Sequence, residues 1–259
     1  MPTEPRANPF ERGGEAYARH RPDWPAGVAD ALAAEAPARA HALDVGCGSG
    51  QLATLLADRF DRVTASDPSA DQLRAARAHP RVAYVREPAE RIGLADASVD
   101  LVVAGQAAHW FDLPRFLAEA ARVARPGAAR ALLTYGVPEL EGEAGERFAR
   151  LYREHPLHGF WPADRAHVEN GYRELRLDLP ERPLPALAIE RRWDADAALG
   201  YVGTWSAVGR ARAAGERGTV DDFAARLRAL WGTGERAVRW PIGGRLATLG
   251  AADGARPGE

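Results

Sequence analysis

A chain of 259 residues that is 46% apolar is long enough for one large α/β domain with a sizeable core, and a formal net charge of −2 gives no electrostatic reason to expect nucleic acid or an anionic membrane as partner. All 34 basic residues are arginine, which excludes a lysine Schiff base or a phosphate-loop lysine, and the single Cys47 excludes an internal disulfide and fits a reducing compartment. Pro2, Glu4, Pro5 and Arg6 offer no signal-peptide core, and no apolar run approaches the ~20 residues of a membrane span, so a soluble cytoplasmic protein is expected.

In chain order, residues 1–13 read as a flexible lead, followed by a short helix around Gly14–His20 and a second over Ala26–Ala36 that Pro37 ends. Short apolar runs then alternate with helical periods. Strands are predicted at Ala42–Val45, Arg62–Ser66, Arg81–Arg86, Val99–Ala104 and Ala131–Tyr135. Helices are predicted at Gln51–Phe60, Ala70–Ala78 and Leu113–Ala124, the last stopped by Arg125-Pro126-Gly127. Two final strands, Leu187–Trp193 and Val238–Leu249, are separated by helix around Ala195–Val208 or Asp221–Trp231. Strand–helix alternation with short connections predicts a doubly wound, mostly parallel sheet covered on both faces. The segments are a helical cap (1–40), a cofactor-binding core (41–137), an inserted lid (138–180), remaining core elements (181–250) and a tail (251–259).

Asp44-Val45-Gly46-Cys47-Gly48-Ser49-Gly50 ends the first core strand and opens a helix, at the sheet edge where open α/β folds bind ligands. Glycines at alternate positions each sacrifice about 0.5–1 kcal/mol of backbone entropy, which positive φ and close approach of a ligand would justify. A tight strand-to-helix turn with no ligand is the plainer alternative. Asp67 closes the next strand, where an acid accepts both ribose hydroxyls in nucleotide-binding βαβ units, although Asp67-Pro68-Ser69 also reads as a helix start. The third glycine comes one residue earlier than in the dinucleotide fingerprint G-x-G-x-x-G.

With that loop and acid, residues 42–136 resemble the class I S-adenosylmethionine-dependent methyltransferases. The resemblance implies a seven-stranded Rossmann-like sheet, S-adenosylmethionine as cofactor with S-adenosylhomocysteine as product, and cofactor contacts from Tyr17, Asp44, Gly46, Gly48, Ser49, Gly50, Asp67 and Pro68. It places Ala89 and Glu90 beside the adenine, and it points the sulfonium methyl toward Gly105-Gln106-Ala107-Ala108-His109-Trp110, with Gln106 at the cofactor. Tyr17-Ala18-Arg19-His20-Arg21-Pro22-Asp23-Trp24, Gln106-x-x-His109-Trp110 and Tyr201–Ser206 are similar to the narrower group around trans-aconitate methyltransferase.

Methyl transfer from a sulfonium needs alignment and exclusion of water more than proton chemistry. A carboxylate acceptor needs no base, and arginine is its natural partner, with Arg21 and Arg165 as candidates. His109 is either a general base for a hydroxyl or amine acceptor or a residue that shapes the pocket. Trp24, Trp110, Trp161 and Trp205 are candidates to line the acceptor site, with core or lid packing as the alternative for each. Tyr17 and Trp24 either close a lid over the cofactor or anchor the N-terminal helix. No H-E-x-x-H or close Cys/His spacing suggests a metal. The reading is methyl transfer to a carboxylate or hydroxyl of a small molecule by a monomer or homodimer. A nicotinamide-dependent oxidoreductase and a non-catalytic, cofactor-binding regulator are the rivals.

Overall fold

The computed structural model describes residues 20–177 and 179–249. One mixed sheet carries the chain. Five parallel strands come first: β1 (His41–Val45), β2 (Arg62–Ser66), β3 (Val82–Val85), β4 (Val99–Gly105) and β5 (Ala124–Tyr135). A long β9 (Arg236–Thr248) runs antiparallel to β5 and gathers β6 (Glu139–Leu140), β7 (Glu181–Arg182) and β8 (Leu187–Trp193), all antiparallel to it. The order β3-β2-β1-β4-β5-β9-β6 places β1 between β2 and β4, the point where the winding reverses and ligands bind in open α/β sheets.

Alternation along each strand shows why both faces are covered. Ala42, Leu101, Val103, Ala129, Ala131 and Leu133 enter one apolar cluster, while Leu43, Val45, Val102, Ala104 and Leu132 enter a second on the opposite face. The first cluster is closed by α1 (Ala26–Glu35), α2 (Gln51–Ala57) and three late helices, α7 (Ala195–Gly203), α8 (Ser206–Ala213) and α9 (Arg217–Trp231). The short α3 (Ala70–Arg74) links β2 to β3. Phe116, Leu117, Ala120 and Val123 of α4 (Leu113–Val123) close the second. Beyond β6 lie α5 (Gly142–Glu154), a 3-10 turn at Pro156–Phe160 and α6 (Arg165–Glu169).

Four expectations change. The sheet has nine strands and not seven, because the long β9 has enough free edge to pair with two-residue strands as well as with β8. Helix α3 stops at Arg74, short of Ala78, and Arg77 N–H donates instead to the Ser49 carbonyl at 3.1 Å. Arg125-Pro126-Gly127 does not break the chain between helix and strand. Ala124 already pairs with Val99, and the register shift before Leu101 absorbs the Pro-Gly as an irregularity, with Gly127 at φ 84°. The helix expected between the last strands is three helices. The helix at Gly14–His20 lies outside the described residues except for His20. No helix among the described residues is long and apolar enough to cross a membrane.

The fully buried Asp100 locks β4 to the chain entering β1. Its Oδ2 accepts the backbone N–H of Ala40 and of His41, both at 2.9 Å, and its Oδ1 accepts from Arg125 Nη1 at 2.6 Å. Removing the carboxylate leaves two backbone N–H groups and a partly exposed guanidinium without their shared acceptor. Asp100→Ala should therefore lower stability by about 3 kcal/mol, read in urea unfolding as a lower midpoint at unchanged m-value.

Candidate functional site

The glycine loop leaves β1 at the switch point and is pinned to β2. The backbone N–H groups of Gly46 and Cys47 both donate to the Ser66 carbonyl, at 2.8 and 2.9 Å. Gly48 (φ 54°) has only a Gln72 side-chain oxygen within 4 Å of where a Cβ would stand, so its face is open to a ligand. Gly50 (φ 75°) needs glycine twice over, since a Cβ there would collide with the Tyr84 hydroxyl.

Asp67 is 9% exposed, and its carboxylate joins the loop to the next turn. Oδ2 accepts from Gly48 N at 2.9 Å and Oδ1 from Ser69 N at 2.8 Å. Burial raises its pKa while these two N–H groups pull it back. Both oxygens keep further lone-pair capacity for a ligand hydroxyl. The helix start is supplied by Ser69, whose side chain accepts from Gln72 N, so Asp67 is not needed as the cap of α3. Ser49 and Ala89 are buried and Pro68 is exposed. Glu90 accepts from Asp112 N at 2.8 Å, tying the loop after β3 to the start of α4.

Asp44, beneath the loop, is buried, and no described residue hydrogen-bonds its Oδ2. Burial, reinforced by the Asp67 charge, pushes its pKa up to about 7. A buried carboxylate oxygen of this kind calls for a cationic or N–H donor.

Past β4 the chain turns at Gln106, a non-glycine residue at φ 56°, into a 3-10 turn at Ala108–Trp110. The Gln106 amide reaches β5: Nε2 donates to the Tyr135 carbonyl at 2.6 Å and Oε1 accepts from Thr134 Oγ1 at 3.0 Å. Arg21, Gln106, His109, Trp110, Trp161 and Arg165 together line a half-open cavity, and no Asp or Glu is among its lining residues. The guanidinium of Arg165 stacks 4.3 Å from the Trp161 ring centroid, while its Nε donates to Glu169 at 3.0 Å and Tyr152 at 3.3 Å. That of Arg21 lies 5.3 Å from the Tyr201 ring.

His109 Nδ1 lies 3.0 Å from the hydroxyl of Tyr172. Burial first, then the charges of Arg165 and Arg21, pushes the imidazole down to about 3, so the ring is neutral at physiological pH. Tyr172 is fully buried and carries a bulky side chain at φ 63°. Sequence reasoning missed it, and only the preceding Asn170-Gly171 hinted at a left-handed turn.

Not every aromatic expected at the acceptor site lines this cavity. Trp24 is 7% exposed, edge-on to Tyr135 at 5.4 Å and packed beside Gly105. Trp205 is 4% exposed, ringed by Tyr152, Tyr201 and Phe223, and stands behind the cavity wall. In both, burial of the indole dominates. Tyr17 lies outside the described residues.

These groups fit an S-adenosyl sulfonium ligand: an open glycine cradle, a strand-end acid for a ribose, and a buried carboxylate oxygen for an ammonium. The comparisons agree. Residues 43–132 match a family described as methyltransferase domain. A solved structure from Anaeromyxobacter dehalogenans, described as a type II methyltransferase, is 49% identical, covers 88% of this chain and 97% of its own, and superposes with a TM-score of 0.80. A methyltransferase of Dictyostelium discoideum is 29% identical over 167 residues, 64% of each chain. The malonyl-[acyl-carrier protein] O-methyltransferase of Enterobacter lignolyticus is 38% identical over 135 residues, 51% of this chain and 53% of that protein. The match thus spans less than two thirds of either of these two curated relatives. The chain belongs to the class I S-adenosylmethionine-dependent methyltransferases. The likeness to the trans-aconitate group is looser than this class-level one.

Asp44 carries a pH signature. Its folded pKa of about 7 lies above the ordinary 3.8, so the folded state holds the proton more tightly. The associated stability is present below pH about 4 and is lost as pH rises through 7. Asp44→Asn should flatten that decline in the ligand-free protein, checked by thermal unfolding across pH 4.5–8.

Proposed function

We propose that the protein transfers the methyl group of S-adenosylmethionine to a carboxylate oxygen of a small anionic molecule. The observation that carries the acceptor class is the cavity beside His109, which presents Arg21 and Arg165, a neutral imidazole and no lining acid. Such a cavity attracts an anion and holds a carboxylate through planar guanidinium donors. On the cofactor side, the Gly46–Gly50 loop approaches the methionine portion, Asp44 takes the ammonium, Asp67 takes the ribose hydroxyls, and Ala89 and Glu90 flank the adenine. The 138–180 segment contributes Trp161 and Arg165 and acts as the lid.

Bound S-adenosylmethionine supplies an electrophilic methyl with a neutral thioether as leaving group. A carboxylate oxygen attacks with its own lone pair: a C–O bond forms, the C–S bond breaks, and no proton moves. The residues therefore have to align the acceptor, neutralise its charge at the distal oxygen and exclude water. An alcohol or amine acceptor would need a base, and an imidazole held at about 3 is a weak one. The Enterobacter relative is likewise named an O-methyltransferase. Family membership argues against the nicotinamide alternative.

Calorimetry should show S-adenosylmethionine binding on the order of micromolar and no NAD binding. With methyl-labelled cofactor and a panel of carboxylic acids, phenols and amines, the labelled product should come from an acid and release methanol in alkali, as an ester does. Base-stable product would point to an ether or amine, and binding without turnover on any acceptor would favour the regulatory reading. Arg165→Gln should raise the acceptor KM at least tenfold while cofactor affinity stays within about twofold, because a charge-assisted hydrogen bond of about 1.5–3 kcal/mol is lost on the acceptor side alone.

A further inference from the structure

The guanidinium of Arg165 is held on two sides. Its face lies 4.3 Å from the Trp161 ring centroid, and its Nε–H donates to Glu169 Oε1 at 3.0 Å and to the Tyr152 hydroxyl at 3.3 Å. Chemistry fixes these directions: a guanidinium only donates and a carboxylate only accepts, so the Tyr152 O–H donates to the same Glu169 oxygen. Tyr152 is buried, and Glu169 lies against Gly136, just past β5, where an added Cβ would already touch its Cα. Both partners are thus anchored to the frame. No described residue hydrogen-bonds Nη1 or Nη2 of Arg165. A guanidinium can take a carboxylate in bidentate fashion on an edge that includes Nε or on its Nη1–Nη2 end. Glu169 and Tyr152 occupy the Nε–H, and the Nη1–Nη2 end is left for a ligand.

Helix stability does not explain the pair. Arg165 and Glu169 are the first and last residues of α6, so each charge stands at the end where the helix dipole disfavours it. An arginine placed i to a glutamate at i+4 is also the weaker order for a helical ion pair. We propose that Glu169 is a positioning residue: it occupies the Nε–H of Arg165 and so presents the Nη1–Nη2 end to the acceptor carboxylate, fixing the side on which that anion docks. The proposal rests on reading the cavity as a carboxylate site. It gives an acid behind an anion site a purpose that charge alone does not, because a negative charge there repels the acceptor. Orientation and charge therefore act in opposite senses, and an experiment can separate them.

The test titrates sodium benzoate, a flat monocarboxylate, calorimetrically into the full chain with and without S-adenosylhomocysteine. Glu169→Leu removes both the accepting oxygen and the charge, and should weaken benzoate binding by about fivefold or more although it deletes a repelling group. Glu169→Gln keeps an oxygen for Nε–H and loses the charge, so its affinity should equal or exceed that of the wild type. In an Arg165→Gln background, Glu169→Leu should add no further loss. With ¹⁵N-arginine labelling, the Arg165 Nε–H signal is assigned by its loss in Arg165→Gln. Its exchange with solvent should quicken roughly tenfold in Glu169→Leu and stay within about threefold in Glu169→Gln. If the leucine variant does not fold, Glu169→Asp, a methylene shorter in reach, takes its place. Benzoate affinity that rises or holds in Glu169→Leu, a loss that persists without Arg165, or an Nε–H indifferent to Glu169 would overturn the proposal alone. Wild-type protein that binds no benzoate would overturn the carboxylate reading and the proposal with it. The expected pattern in protein that binds no S-adenosylhomocysteine would uphold the proposal and overturn the cofactor reading.

Discussion

The carboxylate of Asp67 is the constraint on which the rest of the site depends. It bridges Gly48 N and Ser69 N, while the neighbouring Ser66 carbonyl receives Gly46 N and Cys47 N. Four backbone donors are thereby drawn to the end of one strand. The loop can meet that demand only by passing repeatedly through left-handed backbone, and glycine is the residue that does so at least cost. The same bridging holds two acids close together, Asp67 at the loop and Asp44 beneath it, and the Asp67 charge adds to burial in raising the Asp44 pKa. A cationic ligand group would relieve that tension, which fits the loop to the proposed cofactor as well as to a tight turn.

The parallel half of the molecule was legible in the sequence because two periodicities agree there. Strands of period two alternate with helices whose apolar stripe faces the sheet, and each glycine or acid falls at a strand end. Legibility fails where a long-range ladder overrules local chemistry. Arg125-Pro126-Gly127 looks like a stop signal, yet Gly127 N–H bonds the Leu249 carbonyl at 2.8 Å and the chain stays extended. The strands Glu139–Leu140 and Glu181–Arg182 are too short to show any period, and exist because β9 offers an edge.

At the site, the polar half was readable and the packing half was not. Arg21, His109 and Arg165 come from three distant segments and meet in one cavity, since charged and titratable groups near a sheet edge have few other roles. Trp24 and Trp205 look alike in sequence to Trp110 and Trp161, but only the latter pair reaches the cavity. Whether an indole supports a wall or forms it is decided by a fraction of a turn of helix or loop, which no spacing rule encodes. Tyr172 is less visible still, because its importance lies in a backbone angle and a partner 63 positions away.

Strain and electrostatics point the same way on the acceptor side. Gln106 and Tyr172 each hold a left-handed backbone at a cost of about 1–3 kcal/mol, and both are tied to β5 or to the turn that carries His109. A pocket meant only to admit an apolar molecule would have no use for that rigidity, because dispersion contacts tolerate small displacements. Directed donors do not: a hydrogen bond weakens steeply once its angle falls away from linear. On the proposed reading, the strained frame is the counterpart of a cavity that fixes the direction of a carboxylate. On that reading Arg21 and Arg165 attract the anion, and the imidazole, held beside the buried Tyr172, helps to fix which oxygen faces the methyl.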